Sequence, residues 1–259
     1  QEEPDAATVA RAPPIYQTSS YVFEDAETAA DRYALEDEGN VYSRFDNPTV
    51  RMLEQRLASL EGAVDAVATG SGMAALDAAT TVLASAGDNV VTASSIYGGT
   101  HSYYANTASR RDIETRFVDT LDPAAYAEAI DADTAYIHCE TIGNPSLVVP
   151  PLAEIAEVAH DHGTPLFVDN TFGTPALCNP IEYGADIIWE STTKWIHGSG
   201  TTVGGILADG GSFPWHEYPE KFPELAGENP AFGFDFSERF GDRAFAMAAR
   251  QRGLRALGD

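Results

Sequence analysis

Lysine is nearly missing from this chain of 259 residues: Lys194 and Lys221 are the whole supply. All basic residues together number 15, against 40 Asp and Glu, for a net charge of -25. A phosphate backbone demands a net basic footprint, so a nucleic-acid-binding surface is excluded as the main function. Docking on an anionic membrane is disfavoured for the same reason. Cysteine is equally scarce. Cys139 and Cys178 are too few and too far apart for the disulfide framework of a small secreted protein. No apolar run reaches the ~18 residues of a membrane span. The six histidines, at 101, 138, 160, 162, 197 and 216, are scattered, and no His/Cys spacing suggests zinc or another metal. The start, Gln1-Glu2-Glu3-Pro4-Asp5, lacks the basic-then-apolar pattern of a signal peptide, and the expectation is a soluble, cytoplasmic protein.

What is present is a foldable chain. Hydrophobic residues make up 44%, enough to exclude disorder despite the charge. The length suits one large or two modest domains. The acid excess resembles that of proteins from salt-loving cells. Its physical content is self-repulsion that salt screens, since the Debye length falls to about 3 Å at 1 M.

Residues 1–47 are polar and punctuated by Pro13-Pro14, Gly39-Asn40 and Asn47-Pro48, which predicts an extended arm and a loop. From Thr49 the pattern becomes regular. Val50, Leu53, Leu57 and Leu60 form a helical stripe that Gly62 ends. Strands are predicted at Val64–Ala68, Asn89–Ala93, Ile113–Val118, Thr134–Cys139, Pro165–Val168, Ala185–Trp189 and Thr201–Leu207. Helices are predicted at Met73–Leu83, Pro123–Ile130 and Pro151–His162. Alternating strands and helices imply an α/β fold: a mostly parallel seven-stranded sheet with helices on both faces, an α/β/α sandwich. Residues 212–236 are rich in Pro, Phe and Gly without a clear period. A last helix is predicted from Arg239 to about Leu254. The division is an arm at 1–48, an α/β domain at 49–236, and the start of a connecting helix at 237–259.

In open parallel sheets ligands bind beyond the carboxyl ends of the strands. Three features fall there. Thr69-Gly70-Ser71-Gly72-Met73 lies between a strand and a helix, where free backbone N–H groups can cradle a phosphate or simply form a tight turn. It does not match the Gly-x-Gly-x-x-Gly dinucleotide fingerprint, which disfavours a dehydrogenase. Val168-Asp169-Asn170-Thr171 delivers a carboxylate to a strand end, suited to a ring nitrogen, a ribose or a metal, or to an Asx turn. Glu190-Ser191-Thr192-Thr193-Lys194-Trp195 carries one of the two lysines just past a buried strand. A desolvated lysine can lose its proton and form a Schiff base, which arginine cannot. An anion cradle, a strand-end carboxylate and an isolated lysine are together what pyridoxal phosphate requires. Cys139, inside an apolar strand, is expected to be inert, and nothing near Cys178 activates it.

Six motifs in order across the chain carry a resemblance. They are Tyr42-Ser43-Arg44 with Asn47-Pro48-Thr49; Gly70-Ser71-Gly72-Met73-Ala74-Ala75; Tyr97-Gly98-Gly99-Thr100; Glu140-Thr141-Ile142-Gly143-Asn144-Pro145; Asp169-Asn170-Thr171-Phe172; and Ser191-Thr192-Thr193-Lys194-Trp195. The sequence resembles the Cys/Met-metabolism pyridoxal-phosphate enzymes of fold type I. The Glu140–Pro145 run, Thr201–Gly205 and Ser237–Gly241 are most similar to its O-acetylhomoserine sulfhydrylase branch. The resemblance implies that Lys194 binds the cofactor aldehyde and then serves as acid and base. It implies that Asp169 pairs with the pyridine nitrogen, and that Tyr97 stacks on the ring and assists proton transfer. It places Gly72, Met73, Ser191 and Thr193 on the phosphate and Asn144 on the ring oxygen. Tyr42 and Arg44 reach the phosphate of a neighbouring subunit.

The implied reaction replaces the γ-substituent of an activated homoserine ester with sulfide or a thiol, for methionine biosynthesis. Cystathionine γ-synthase or γ-lyase chemistry, or a cofactor-binding chain without independent activity, remain alternatives. The implied assembly is a homodimer as the active unit within a homotetramer. Family members are longer and carry a C-terminal domain that supplies an arginine for the substrate carboxylate. The expectation is therefore a fragment whose cofactor site is nearly complete and whose substrate site is not.

Overall fold

The structure is a computed structural model that describes residues 4, 8–37 and 39–258. The acidic tip at Gln1–Glu3 and Asp5, together with the final Asp259, lies outside the described residues. Seven strands form one sheet: β1 (Asp65–Thr69), β2 (Asn89–Ala93), β3 (Glu114–Val118), β4 (Thr134–Glu140), β5 (Leu166–Asp169), β6 (Ile187–Glu190) and β7 (Gly205–Asp209). Their order is β1-β7-β6-β5-β4-β2-β3. The pairs β6·β5, β5·β4, β4·β2 and β2·β3 are parallel, and β7 runs antiparallel to both β1 and β6. The helices are α1 (Ala26–Tyr33), α2 (Pro48–Glu61), α3 (Gly72–Leu83), α4 (Gly98–Ser102), α5 (Pro123–Ala129), α6 (Leu152–Asp161), α7 (Thr174–Leu177), α8 (Phe236–Phe240) and α9 (Ala244–Ala249). Strands β4, β5, β6 and β7 are buried along their whole length, as expected of a sheet covered on both faces.

Four differences from the sequence reading have physical causes. The arm is not wholly irregular: α1 forms at Ala26–Tyr33, capped by the Asp25 carboxylate on the Thr28 N–H at 2.8 Å. It buries none of its residues, so no apolar stripe advertised it. A second unforeseen helical stretch, α4 continued by a π-helix at Tyr103–Ala108, follows β2. The last strand starts at Gly205, not Thr201. The last helix is broken at Gly241, whose φ of +57° ends α8, and a π-helix at Arg250–Arg255 continues α9.

The stripe on α2 is also turned from its expected orientation. The helix forms as predicted, with Asn47 as its cap and Gly62 in the left-handed region at its end. The residues it buries, however, are Glu54, Leu57, Ala58 and Glu61, while Val50, Leu53 and Leu60 stay 39–50% exposed. The reason lies in β1, an edge strand with unpaired backbone groups. Glu54 accepts the Ala68 N–H at 2.9 Å, and Arg250 donates to the Ala66 carbonyl at 3.1 Å. Arg250 also grips Glu54 at 2.7 Å. This ion pair takes the place of a further strand along the edge.

Candidate active site

The carboxyl ends of β1, β4, β5 and β6 converge on one edge of the sheet. After β1 the chain turns through Gly70 and Ser71 into α3. Ser71 caps the helix by accepting the Ala74 N–H at 3.1 Å. The N–H groups of Gly72 and Met73 have no protein acceptor among the described residues. They are the free donors of a helix N-terminus and suit an anion. Gly72 is pressed against the turn after β6: a Cβ there would lie 2.8 Å from the Cβ of Ser191. This close approach, open only to glycine, brings the helix N-terminus and the Ser191 hydroxyl to one place.

Asp169 ends β5 and is 6% exposed. Burial pushes its carboxyl up to about 6, against the opposing pull of Thr171. The Thr171 N–H donates to Asp169 at 2.9 Å, and its hydroxyl accepts the Ser191 N–H at 2.8 Å. One threonine thus ties the end of β5 to the end of β6. Lys194 sits on that turn, its N–H donating to the Ser191 carbonyl at 3.0 Å. Its side chain is exposed, not desolvated as the sequence suggested. Trp195 and Phe172 meet edge to face at 6.2 Å beside it. The Thr193 hydroxyl is bound to the backbone of Gly204, accepting its N–H at 3.1 Å and donating to its carbonyl at 3.2 Å. It therefore contributes to the turn first.

Tyr97 and Asn144 come from different loops, after β2 and β4. Tyr97 is half-exposed and lies over Gly99, where a Cβ would collide with its ring. Both loops are bonded to Glu140, which the Glu140–Pro145 motif contains without a role implied for it. Tyr42 and Arg44 are placed elsewhere. The Arg44 guanidinium stacks over the Tyr42 ring at 5.3 Å, and Arg44 lines a cavity of about 580 Å³ with Gly70, Thr192 and Gly204. Among the described residues no hydrogen bond joins either side chain to Gly72, Met73, Ser191 or Lys194.

Under this edge lie buried groups to which the sequence assigned no catalytic role. Glu190 is fully buried, and neither carboxyl oxygen has a partner in the hydrogen-bond geometry. Its neighbour Glu61 accepts from the Asn170 amide at 2.9 Å. Burial and mutual repulsion raise the Glu190 carboxyl far above the ordinary range. His138, deeper in β4, is held neutral by burial, which lowers it to about 3. It accepts from the Trp189 indole at 3.2 Å and meets the Thr92 hydroxyl at 3.0 Å. Cys139 is fully buried and pushed up to about 12, which leaves it an unreactive thiol as expected. Among the described residues no group of three His, Cys, Asp or Glu could hold a metal ion.

This geometry fits pyridoxal phosphate. Gly72, Met73 and Ser191 offer phosphate donors, and a buried carboxyl with no cationic partner awaits a ring N–H. The family model for Cys/Met metabolism PLP-dependent enzymes matches residues 1–236, and the chain belongs to that family. Its relatives narrow the picture. It is 48% identical over 259 residues to the homocysteine synthase of Schizosaccharomyces pombe, spanning 99% of this chain and 60% of that protein. It is 44% identical to O-acetyl-L-homoserine sulfhydrylase 1 of Thermus thermophilus, over 99% of this chain and 61% of that protein. A crystal structure described as an O-acetylhomoserine (thiol)-lyase of Campylobacter jejuni, carrying N'-pyridoxyl-lysine-5'-monophosphate, superposes with a TM-score of 0.89. That likeness covers 96% of this chain and 63% of the other, at 33% identity. The chain thus spans about 60% of the length of the curated relatives it matches. The sheet is the fold type I architecture of these enzymes.

Proposed function

We propose that this chain is the cofactor-binding part of an enzyme that replaces the acetate of O-acetylhomoserine with sulfide or a thiol. The observation that carries this reading is the convergence of Asp169, Ser191, Lys194 and the α3 N-terminus on one sheet edge, in a chain whose relatives are named for that reaction. Pyridoxal phosphate, when bound, supplies the electron sink for proton loss at the substrate α-carbon. The N–H groups of Gly72 and Met73 and the Ser191 hydroxyl would hold its phosphate. Asp169, once facing a ring N–H, returns to its ionised form and keeps the proton on that nitrogen. Lys194 would hold the aldehyde, and its amine would carry the proton between the substrate α-carbon and the neighbouring positions. Tyr97 would cover the ring, and Asn144 would orient its oxygen. In the net reaction the Cγ–O bond breaks, a Cγ–S bond forms, and the proton of the sulfur nucleophile leaves with acetate.

The open helix face of Val50, Leu53 and Leu60 supports a homodimer, in which Tyr42 and Arg44 contact the phosphate of the partner subunit. A homotetramer in the cytoplasm, with the acid excess suited to high salt, completes the reading. The exposure of Lys194 favours a second reading, a cofactor-binding chain without turnover.

Borohydride reduction of the chain after incubation with pyridoxal phosphate tests both. Only Lys194 and Lys221 can take a side-chain tag. Lys221 is half-buried and its ammonium donates to the Gly163 carbonyl and the Thr164 hydroxyl. We expect the mass tag on Lys194, and a chain that takes none there ends the cofactor reading. A tagged chain that forms no homocysteine from O-acetylhomoserine and sulfide leaves only the second one.

A further inference from the structure

Glu140 stands at the last position of β4, 5% exposed, in register with Asp169 on β5. One carboxyl oxygen accepts the Tyr97 N–H at 2.6 Å, and the other accepts the Asn144 N–H at 2.9 Å. The two donors are 47 residues apart in sequence and belong to loops that leave different strands. Those loops also touch directly: a Cβ on Gly143 would lie 2.7 Å from the Ser95 carbonyl. Neither oxygen of Glu140 faces a cation. Glu140 has no part in binding phosphate, aldehyde or ring nitrogen, and its side chain accepts only backbone donors.

We propose that Glu140 is a positioning residue that sets both faces of the ring site at once, holding Tyr97 over the cofactor ring and Asn144 at its oxygen. This rests on the cofactor reading above. Two N–H donors converge on one carboxyl group, and the carboxylate presents a full acceptor to each of them. A carboxylic acid keeps only a weaker acceptor at its hydroxyl oxygen, and an amide places an NH2 donor at one of the two positions, which opposes one of the N–H groups. Tyr97 lacks any other anchor for its backbone N–H at the start of α4, and that helix has no side-chain cap. Among the described residues the bridge is therefore the one hydrogen-bonded link between the two loops at this point. Burial, with the charge of Asp169 alongside, raises the Glu140 carboxyl to about 8. The groups facing it are Asp169 from β5 and the two N–H donors. A ring N–H paired to Asp169 removes that repulsion and favours the carboxylate that the bridge requires.

The test is Glu140→Gln in the 259-residue chain, with Glu140→Asp as a second variant that keeps the charge on a shorter arm. Backbone hydrogen exchange in the unsubstituted chain, above the pH of about 8 at which Glu140 ionises, comes first. The Tyr97 and Asn144 amides are expected to be protected, in contrast to the Gly98 amide in the open first turn of α4. In Glu140→Gln at least one of the two is expected to exchange about ten-fold faster, the size of a lost charge-assisted hydrogen bond. Pyridoxal-phosphate binding is expected to weaken about ten-fold by the same loss, with a changed circular-dichroism sign or amplitude in the visible band of the bound cofactor. Glu140→Asp is expected to bind with intermediate affinity. Protection absent at both amides in the unsubstituted chain overturns the proposal, whether or not the variants fold. So does a folded Glu140→Gln that binds cofactor like the original with an unchanged visible band. Failure of the unsubstituted chain to take the borohydride tag on Lys194 would instead overturn the cofactor reading and leave the bridge itself in place.

Discussion

Along the free edge of β1, each buried carboxylate has an arginine. Glu54 is held by Arg250 at 2.7 Å and Arg51 at 3.1 Å, and Asp65 by Arg51 at 2.6 Å and Arg243 at 3.1 Å. At the carboxyl ends of the strands, Glu61, Glu140, Asp169 and Glu190 are buried too, yet no Lys or Arg of the described residues forms an ion pair with any of them. They rely on backbone N–H groups, an amide and each other. The two regions use the same residue types in the same sheet. They differ in that one is electrically closed and the other is left short of positive charge. A closed network leaves no buried charge unpaired, whereas an open one stores unfavourable energy that a cationic ring nitrogen can relieve. In a chain with 15 basic residues, where the arginines were not placed is as informative as where they were.

The largest effect should come from opening the closed region. Arg250 is 8% exposed and bonds to Glu54 and to the carbonyls of Phe45 and Ala66. Arg250→Ala leaves Glu54 buried with a weaker partner set and uncovers the β1 edge. We expect a loss of about 3–5 kcal/mol in urea unfolding, the usual consequence of removing one member of a buried pair. A loss below ~1 kcal/mol would mean that the two regions are not electrically different.

The converse substitution sharpens the same contrast. Asp169→Asn removes a charge that has no cationic partner in the chain. The unliganded protein should therefore keep its stability at pH 8 or gain about 2 kcal/mol, because a carboxyl whose folded value lies near 6 disfavours the folded state once ionised. Cofactor affinity should move the other way, falling by roughly 50-fold as a charged hydrogen bond to the ring is lost. Urea titration and equilibrium dialysis on the one variant read both. Parallel losses of stability and affinity would assign Asp169 a structural role.

The sequence revealed the second region more readily than the first. The strand-end carboxylate, the Gly-Ser-Gly turn and the lone lysine could be read because a parallel sheet places such residues at one edge, and the family motifs gave them roles. The strands were legible because they are short, apolar and β-branched, as Asn89–Ala93 and Leu166–Asp169 illustrate. What could not be read was pairing across distance. Nothing local shows that Glu54 meets Arg250, 196 residues away, or that α2 must turn Val50 and Leu53 outward to let Glu54 reach the edge of β1. Glu140 had a visible signal, a charge closing an apolar strand, but its two partners are backbone groups that carry no residue identity. Helix α1 escaped notice because it packs no apolar face.

A slope with pH distinguishes the regions without any substitution. Asp169, Glu140 and Asp209 have folded values raised to about 6, 8 and 7. The first two belong to the open edge. Asp209, held by the N–H groups of Gly211 and Ala246, sits beside Asp65. Each keeps its proton in the folded chain to a higher pH than in the unfolded one. Their contribution to stability is complete below about pH 4 and is lost as pH rises through 6, 7 and 8, at up to about 1.4 kcal/mol per pH unit for each group. Asp65, held low by its arginines, does the opposite: its contribution is present above about pH 4 and is lost as pH falls. The unliganded chain should therefore be most stable near pH 4 and lose several kcal/mol by pH 9 in urea unfolding. Bound cofactor should flatten that decline, because a ring N–H keeps Asp169 ionised at no cost and leaves the Glu140 carboxylate without a repelling neighbour. A decline equally steep with and without cofactor would place the missing positive charge somewhere other than the sheet edge.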